Sequence, residues 1–527
     1  MRFAAPLIGA LGVVLFALLA LAIGWPGWIL AGLFAVLLAV AVYDLLQRRH
    51  SILRNYPVLG HMRFLLETVR PELQQYFIER NFDGRPYDRD TRSLIYQRAK
   101  GIEAESPFGT ERELGAVGYE WLLHSTAPRD PEEKPPTVTV GGPACTKPYE
   151  MALLNVSAMS FGALSGNALR ALNQGAAAGG FAHDTGEGGL TRYHLEGGGD
   201  VIWELGTGYF GARTDDGGFD EAKFRDKAAH DSVKCVSLKL SQGAKPGIGG
   251  VLPAGKVTKE IAEARDVPMG KSVISPPGHK VFRTPRELVR FIGHMRELAD
   301  GKPTGFKLCV GERHELLAIC KAMVEEQITP DFIVVDGAEG GTGAAPQEYD
   351  DHMGTPLTEG LMIVHNALVG TGLRDRIRVG ASGKVATGAD ILTRLAQGAD
   401  YTNAARAMMM ATGCIQSQRC HTNQCPVGVA TQDPKRARAL DVGDKTERVR
   451  RYQQATVYAA MRLAGSMGCS SPREVGPHQL MRRADPLNSH SYAELFTWLR
   501  PGELLSQVPE AWTTDWSRAD PDSFRPR

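Results

Sequence analysis

"DFIVVDGAEGGTGAAP" occupies Asp331–Pro346. An unbroken apolar run, Phe332–Val335, ends in a carboxylate and then a loop of small residues. A strand buried on both faces reads as a continuous apolar run rather than an alternation. The glycines that follow free backbone N–H groups to approach and hold an anion. One such unit is weak evidence, because any tight turn uses glycine. The pattern recurs, however, on both sides of it. "ALLNVSAMS" (Ala152–Ser160), "GGFAHDTGEGG" (Gly179–Gly189), "CVSLKLSQG" (Cys235–Gly243) and "GFKLCVG" (Gly305–Gly311) precede it, and "RIRVGASG" (Arg376–Gly383) and "ADYTNAAR" (Ala399–Arg406) follow. Helical stretches separate several of them, such as Thr284–Asp300 and Gly311–Gln327. Thr284 before Pro285 is an N-cap followed by proline at the first helical position. Seven or eight strand–helix units predict an α/β fold, a (β/α)8 TIM barrel rather than an open sheet. In such a barrel the chemistry sits where strands end. Those ends carry Ser160, Glu187, Lys239, Gln242, Lys307, Gly340, Gly341 and Gly383.

The flanking sequence divides the 527 residues further. Leu7–Trp25 and Trp28–Tyr43 carry no charge. Each approaches the roughly 20 residues needed to cross a bilayer core. "WPGW" between them predicts a turn with interfacial tryptophans. Arg2 precedes the pair, and Arg48, Arg49 and Arg54 follow it. A transmembrane helical hairpin with both ends, and the catalytic domain, on the cytoplasmic side is expected. A cleaved signal peptide, with "ALA" at Ala20–Ala22 as its cleavage site, and a hairpin buried in the core are the alternatives. The expected divisions are 1–46 for the hairpin, 47–150 for a juxtamembrane helical linker and N-terminal extension, 151–432 for the barrel and 433–527 for a C-terminal helical extension. In the linker, "RPE" with Pro71 predicts a helix start, and its arginines are suited to a solvated face or to anionic lipid. In the tail, both "TERVRRYQQATVYAAMRLAGSMG" and "GPHQLMRR" read as helices. A net charge of +1 argues against a nucleic-acid-coating protein.

Five stretches carry chemistry. Cys414, Cys420 and Cys425 fall at C-x5-C-x4-C in a polar setting. In a reducing compartment such clustering favours metal binding over disulfides. Zinc with His421 as fourth ligand, an iron–sulfur cluster on three thiolates, and three buried cysteines packed as small hydrophobes are all open. The loops at Asp336–Pro346 and Gly380–Gly388, with Lys384 and the following Arg406, predict a phosphate site at the ends of late strands. Lys239, Gln242 and Lys245 place cations and an amide where an electron-rich ring or a carboxylate would bind. Glu187 stands almost alone among glycines, as an acid, a base or an ammonium ligand; a solvated carboxylate is the plain alternative.

Together, "SAMSFGALS", "TGEGG", "KLSQGAKPGIGG", "ISPPGH", "DGAEGGTGAAP" and "GCIQSQRCHTNQCPVGVATQ" resemble, in order and over Met151–Gln432, the FMN-binding synthase domain of glutamate synthases. The resemblance is to the shorter group built on this domain alone. It implies a barrel carrying FMN and a [3Fe–4S] cluster, in which 2-oxoglutarate and ammonia give 2-iminoglutarate and then L-glutamate. It implies that Cys414, Cys420 and Cys425 hold the cluster. Ala158, Met159 and Ser160 would lie against the flavin ring near N5, and Lys239 and Gln242 would contact the ring. Gly340, Gly341, Gly383, Lys384 and Arg406 would lie near the phosphate, Lys307 near the 2-oxoacid and Glu187 near the reacting centre. Two departures stand out. The serine- and glycine-rich loop that helps hold the 2-oxoacid in the family is replaced after Val310 by the charged "GERHELLAICKAM". That leaves the particular 2-oxoacid open. The usual aspartate–glycine–glycine phosphate loop reads "ASGK", so Lys384 is expected to take part of the phosphate contact. With no glutaminase domain or nicotinamide-binding motif expected, ammonia comes from solution or a partner. Electrons come from a ferredoxin-like or membrane donor.

Overall fold

The computed structural model describes residues 2–527. They form two compact units, Met1–Arg89 and Asp90–Arg527. The segment expected as one linker is therefore divided between them at Arg89.

In the first unit, α1 (Ala4–Ile23) and α2 (Trp25–Leu46) pack against each other as a hairpin, with Phe16 and Phe34 stacked at 5.3 Å. Both are long and apolar enough to cross a membrane. The turn between them is Gly24 alone, at φ 74°. "WPGW" is not the turn but the first turn of α2, where Pro26 loses no hydrogen bond because early N–H groups lack intrahelical partners. After α3 (Ser51–Asn55), α4 runs His61–Leu73 and continues as a wide helical turn over Gln74–Ile78. Pro71 thus lies inside the last turn of a helix rather than at its start. The missing N–H there leaves one carbonyl of the preceding turn without its helical partner.

The second unit is built on eight parallel strands that close into a barrel in sequential order. They are β1 (Leu154–Val156), β2 (His183–Asp184), β3 (Val201–Leu205), β4 (Val233–Lys239), β5 (Thr304–Leu308), β6 (Phe332–Asp336), β7 (Arg378–Ser382) and β8 (Tyr401–Ala404). Every adjacent pair is parallel, and β8 closes on β1 through Asn403 and Asn155. Seven strands fall in the runs expected from sequence; β3, "VIWEL", is the addition. It is buried along its whole length although it carries Glu204.

Helices return the chain on the outside. α5 (Gly166–Gly179) starts at Ser165, whose Oγ accepts from Ala168 N. α6 (Pro285–Leu298) starts as expected, with Thr284 Oγ1 accepting from Glu287 N at 3.1 Å. α7 (Arg313–Glu326), α8 (Leu357–Gly370) and α9 (Gly388–Ala396) follow β5, β6 and β7. α10 (Val442–Ser466) packs against α5 and α9, and its Gln453 donates to Leu154 O of β1 at 3.0 Å. "GPHQLMRR" is not helical throughout. After a short turn, Leu480–Arg483 is a strand between Glu120–Leu122 and Ser489–Ser491. Pairing on both edges overrides a weak local helical preference.

Candidate active site

At the ends of β2 and β4 a carboxylate meets three cations. Glu187 follows β2 in a short turn, and its Oε2 lies 3.0 Å from Lys239 Nζ. Its side chain threads past glycine. A Cβ on Gly250 would lie 2.1 Å from Glu187 Oε1, so any larger residue there would displace the carboxylate. Lys239, the last residue of β4, also donates to Gln242 Oε1 at 2.5 Å. Lys245 is buried and donates to Ala344 O at 3.1 Å. Arg265 closes the group from the helix Lys259–Arg265, donating to Phe161 O at 2.8 Å and Ser160 Oγ at 3.4 Å. This ties the Ala158–Ser160 segment, with Met159 buried, to the Glu187 loop.

The electrostatics follow from burial and neighbours. Burial pushes the Glu187 carboxyl up, but Lys239, Lys245 and Arg265 together bring it down to about 2. Burial lowers Lys245, with Glu187 opposing. Burial lowers Arg265 to about 10, again against Glu187. Asp350, which is exposed, adds a further pull on Lys245. Three cations therefore converge on one carboxylate.

Around the barrel mouth, three consecutive strand ends build a second feature. Gly337 N donates to Ser382 O at 2.9 Å, which joins the loop after β6 to the end of β7. Gly340 N donates back to Gly337 O at 2.8 Å. Arg406, just after β8, donates through Nη2 to Glu339 O at 2.6 Å. A Cβ on Gly341 would lie 2.8 Å from Arg406 Nε, so the guanidinium rests directly on this backbone. Gly383 and Lys384 turn the chain after β7, with φ 144° and 51°. Asn403 Oδ1, at the end of β8, is buried without a hydrogen-bond partner. Glycine backbone, a guanidinium and a lysine fit the phosphate of a cofactor such as FMN, and the unpartnered amide oxygen, an acceptor only, fits one of its O–H or N–H donors.

A third group lies inside the barrel. Lys307 of β5 makes a close ion pair with Glu204 of β3, and both are buried. Neither Glu204 oxygen has a hydrogen bond of good geometry, so the contact is ionic. Burial alone would lower Lys307, but Glu204, Asp184 and Asp336 hold it above its ordinary value. Asp184 of β2 is raised as well, to about 8, through burial and then the charge of Glu204, against the pull of Lys307. Lys307, expected beside the 2-oxoacid, thus has a carboxylate partner of its own. Asp184, Glu204 and Arg265 were not among the residues expected from sequence. Arg265 reads as an ordinary exposed helix residue, and the two carboxylates sit in short apolar segments where a charge argues against a strand.

The cysteine loop leaves the barrel just after the helix Arg406–Ala411. Tyr96 OH donates to Cys414 O at 2.8 Å and Gln416 N to Cys414 Sγ at 3.4 Å. Burial pushes Cys414 up to about 12, and the neighbouring Cys420 and Cys425 add to the rise. Burial also raises Cys420, with Cys425 next. Buried Lys256 faces Cys420 and Cys425. His421 is exposed. Among the described residues no three His, Cys, Asp or Glu converge to hold a single ion. A single zinc needs all its sulfurs about 2.3 Å from one point; thiolates on three separate irons do not. The donor set, three neighbouring thiols in one loop, fits a multi-iron cluster.

The family described as a conserved region in glutamate synthase matches residues 136–470. The chain belongs to the glutamate synthase family. It is a glutamate synthase-like oxidoreductase. It is 37% identical to the glutamate synthase large subunit-like protein YerD of Bacillus subtilis (strain 168), over 85% of this chain and 92% of that one. It is 34% identical to an archaeal-type glutamate synthase [NADPH] of Thermotoga neapolitana, over 60% of this chain and 59% of that one. Similarity to the ferredoxin-dependent glutamate synthase of Antithamnion sp. is 37% over 38% of this chain and 13% of that one. The chain thus spans nearly all of the first relative but about three-fifths of the archaeal-type one.

Proposed function

We propose that this chain is a membrane-anchored enzyme that reductively aminates 2-oxoglutarate to L-glutamate, using FMN in the barrel mouth and a [3Fe–4S] cluster on Cys414, Cys420 and Cys425. The observation that carries it is the meeting of Lys239, Lys245 and Arg265 on Glu187 beside the Gly341–Arg406 loop. Three cations against one carboxylate leave an excess of positive charge, suited to a dicarboxylate. Bound FMN supplies hydride and the cluster relays single electrons.

The chain's own residues do the rest. Lys245 and Arg265 hold the substrate carboxylates, and Lys239 with Gln242 bridges substrate and flavin ring. Ionised Glu187, held near 2, is too weak a base to take a proton from ammonium; it accepts a hydrogen bond from free ammonia and orients it, so that ammonia adds to the carbonyl carbon and water leaves. Lys307, fixed by Glu204, contributes its charge from the barrel interior. Ala158, Met159 and Ser160 line the ring edge. Gly340, Gly341, Gly383, Lys384 and Arg406 hold the phosphate. The α1–α2 hairpin spans the membrane and leaves the barrel in the cytoplasm. A ferredoxin-like or membrane donor supplies the electrons.

The test is the full chain purified in detergent. It should carry flavin, iron and acid-labile sulfide, and form glutamate from 2-oxoglutarate, ammonia and a reduced low-potential donor. A colourless protein overturns the proposal. A second reading, amination of a different 2-oxoacid, has one observation in its favour. Arg313, in the charged segment after β5, pairs with Asp515, and His314 with Glu312. Neither side chain is turned to a distal carboxylate. Faster turnover with an apolar 2-oxoacid than with 2-oxoglutarate would establish it.

A further inference from the structure

We propose that α4 and the turn after it, His61–Ile78, lie in the plane of a bilayer surface that carries anionic phospholipid. This rests on the assignment of α1 and α2 as membrane spans and adds a second, separate contact with lipid.

The level of the helix is set by a clasp. Asp44 lies in the last turn of α2, two residues before its end, and is fully buried. Its carboxylate accepts from Val58 N at 2.9 Å and meets His61 Nε2 at 2.9 and 3.0 Å. The first residue of α4 is therefore tied to the point where the second apolar helix stops. If α2 spans the bilayer, that point is the headgroup region.

The helix has the face such a position requires. Met62, Leu65, Leu66, Val69 and Leu73 recur at the spacing that places them on one side. Tyr76, Phe77 and Ile78 extend the apolar surface through the wide turn. All eight are exposed, with Leu65 at 62% and Phe77 at 81%. No residue of α4 is buried. Phe64, off this stripe, is the one that turns inward, packing edge-on against His50 at 5.1 Å. The helix is thus held through its polar side and leaves its apolar stripe uncovered. An uncovered stripe of this length is rare on a surface facing only water. Exposed Arg63 and Arg70 flank it, and exposed Arg48 and Arg49 follow α2 directly. Arginines beside an apolar stripe bury their stems while reaching headgroup phosphates. Between Gln47 and Arg89, eight arginines face five acidic residues. This balance favours an anionic lipid surface.

The test uses the full chain in nanodiscs of phosphatidylcholine with or without phosphatidylglycerol. Photoreactive benzoylphenylalanine replaces Leu66 or Phe77 on the stripe, or Glu67 or Gln74 off it. Lipid adducts are read by mass spectrometry. Several-fold more lipid adduct at Leu66 and Phe77 than at Glu67 and Gln74, enhanced by phosphatidylglycerol, is expected. Equal yields at all four positions overturn the proposal. So do stripe adducts to protein, which would mark a partner or a second copy. Retention of the unmodified chain after a carbonate wash of native membranes separately reports the hairpin. Retained protein without stripe adducts refutes the in-plane helix alone, whereas extracted protein refutes the spans and with them the inference.

Discussion

Neutralising Glu204 tests the charge arrangement inside the barrel. Glu204→Gln removes the partner of buried Lys307. Breaking a buried pair from one side costs about 3–5 kcal/mol, because the remaining charge is left uncompensated. Here a second carboxyl is waiting. Asp184 is held at about 8 by burial and by the charge of Glu204, while Lys307 pulls the other way. With Glu204 neutral, one cause of the rise disappears and the pull remains. Asp184 then ionises and takes over Lys307, so at about pH 8 the single variant should lose well under half of the full cost. The sign in acid is opposite. A carboxyl whose folded value exceeds its unfolded one, about 3.9, binds more protons when folded. The native protein is thus favoured below about pH 4 and loses that stability up to about pH 8. In Glu204→Gln this slope should flatten or reverse, since a protonated Asp184 leaves Lys307 alone. Adding Glu204→Gln to Asp184→Asn should show the whole loss, relative to Asp184→Asn, at every pH. At about 2.1 cal/mol/K per residue, a unit of more than four hundred residues shifts by about 1 °C per kcal/mol. At pH 8 thermal midpoints should therefore fall by about 3–5 °C in the double variant relative to Asp184→Asn, and by about 1–2 °C in Glu204→Gln relative to the wild type. Asp184→Asn alone should be nearly silent below about pH 4, should remove the wild-type slope, and should therefore be more stable than the wild type at pH 7. Additive losses in the cycle, or a single variant as damaged as the double at pH 8, refute the reasoning.

Three further outcomes are expected. Glu187→Gln should lower kcat/KM for ammonia by about 10- to 100-fold, the loss of a charge-assisted hydrogen bond; because Glu187 titrates near 2, no acid limb above about pH 4 in the wild-type rate profile should belong to it. Gly341→Ala places a Cβ 2.8 Å from Arg406 Nε, and equilibrium dialysis should show FMN bound at least about tenfold more weakly, a loss of about 1.4 kcal/mol. Cys425→Ala, at a buried thiol, should remove iron and acid-labile sulfide while the flavin spectrum persists; unchanged iron would end the three-cysteine assignment.

The sequence exposes the barrel most plainly where a strand is purely apolar and opens onto several glycines. β6 is four apolar residues followed by Asp336, and its loop announces itself. β3 is as deeply buried, but Glu204 inside "VIWEL" argues against a buried strand unless its partner is known. That partner, Lys307, lies two strands away in the barrel and over a hundred residues away in sequence. Pairings at that separation leave no periodic signal. Arg265 was hidden for a related reason. On a short helix among Lys259, Glu260 and Glu263 it reads as solvated, and only the fold reveals that it turns inward to Phe161 O and Ser160 Oγ. Glu187 was legible because its surrounding glycines leave it no competitor, although the three cations that fix its ionisation were not.

The pairing of the two neighbouring lysines explains where the charge for a substrate comes from. Lys239 and Lys307 are register partners on adjacent strands β4 and β5. Two ammonium groups so placed would repel and resist burial unless each had a counter-charge. Each has one, drawn from a different direction: Glu187 from the loop after β2 for Lys239, and Glu204 from β3 within the barrel for Lys307. With those two pairs balanced, Lys245 and Arg265 are the cations in excess around Glu187, and burial makes both easier to deprotonate than usual. An arriving dicarboxylate would reverse that tendency and stabilise both charges. Substrate affinity should then depend on Arg265 more than on Lys307. Arg265→Lys should raise KM for the 2-oxoacid about tenfold with flavin content intact, because a lysine lacks the planar fork for carboxylates. An unchanged KM in that variant would move the anion site away from Arg265.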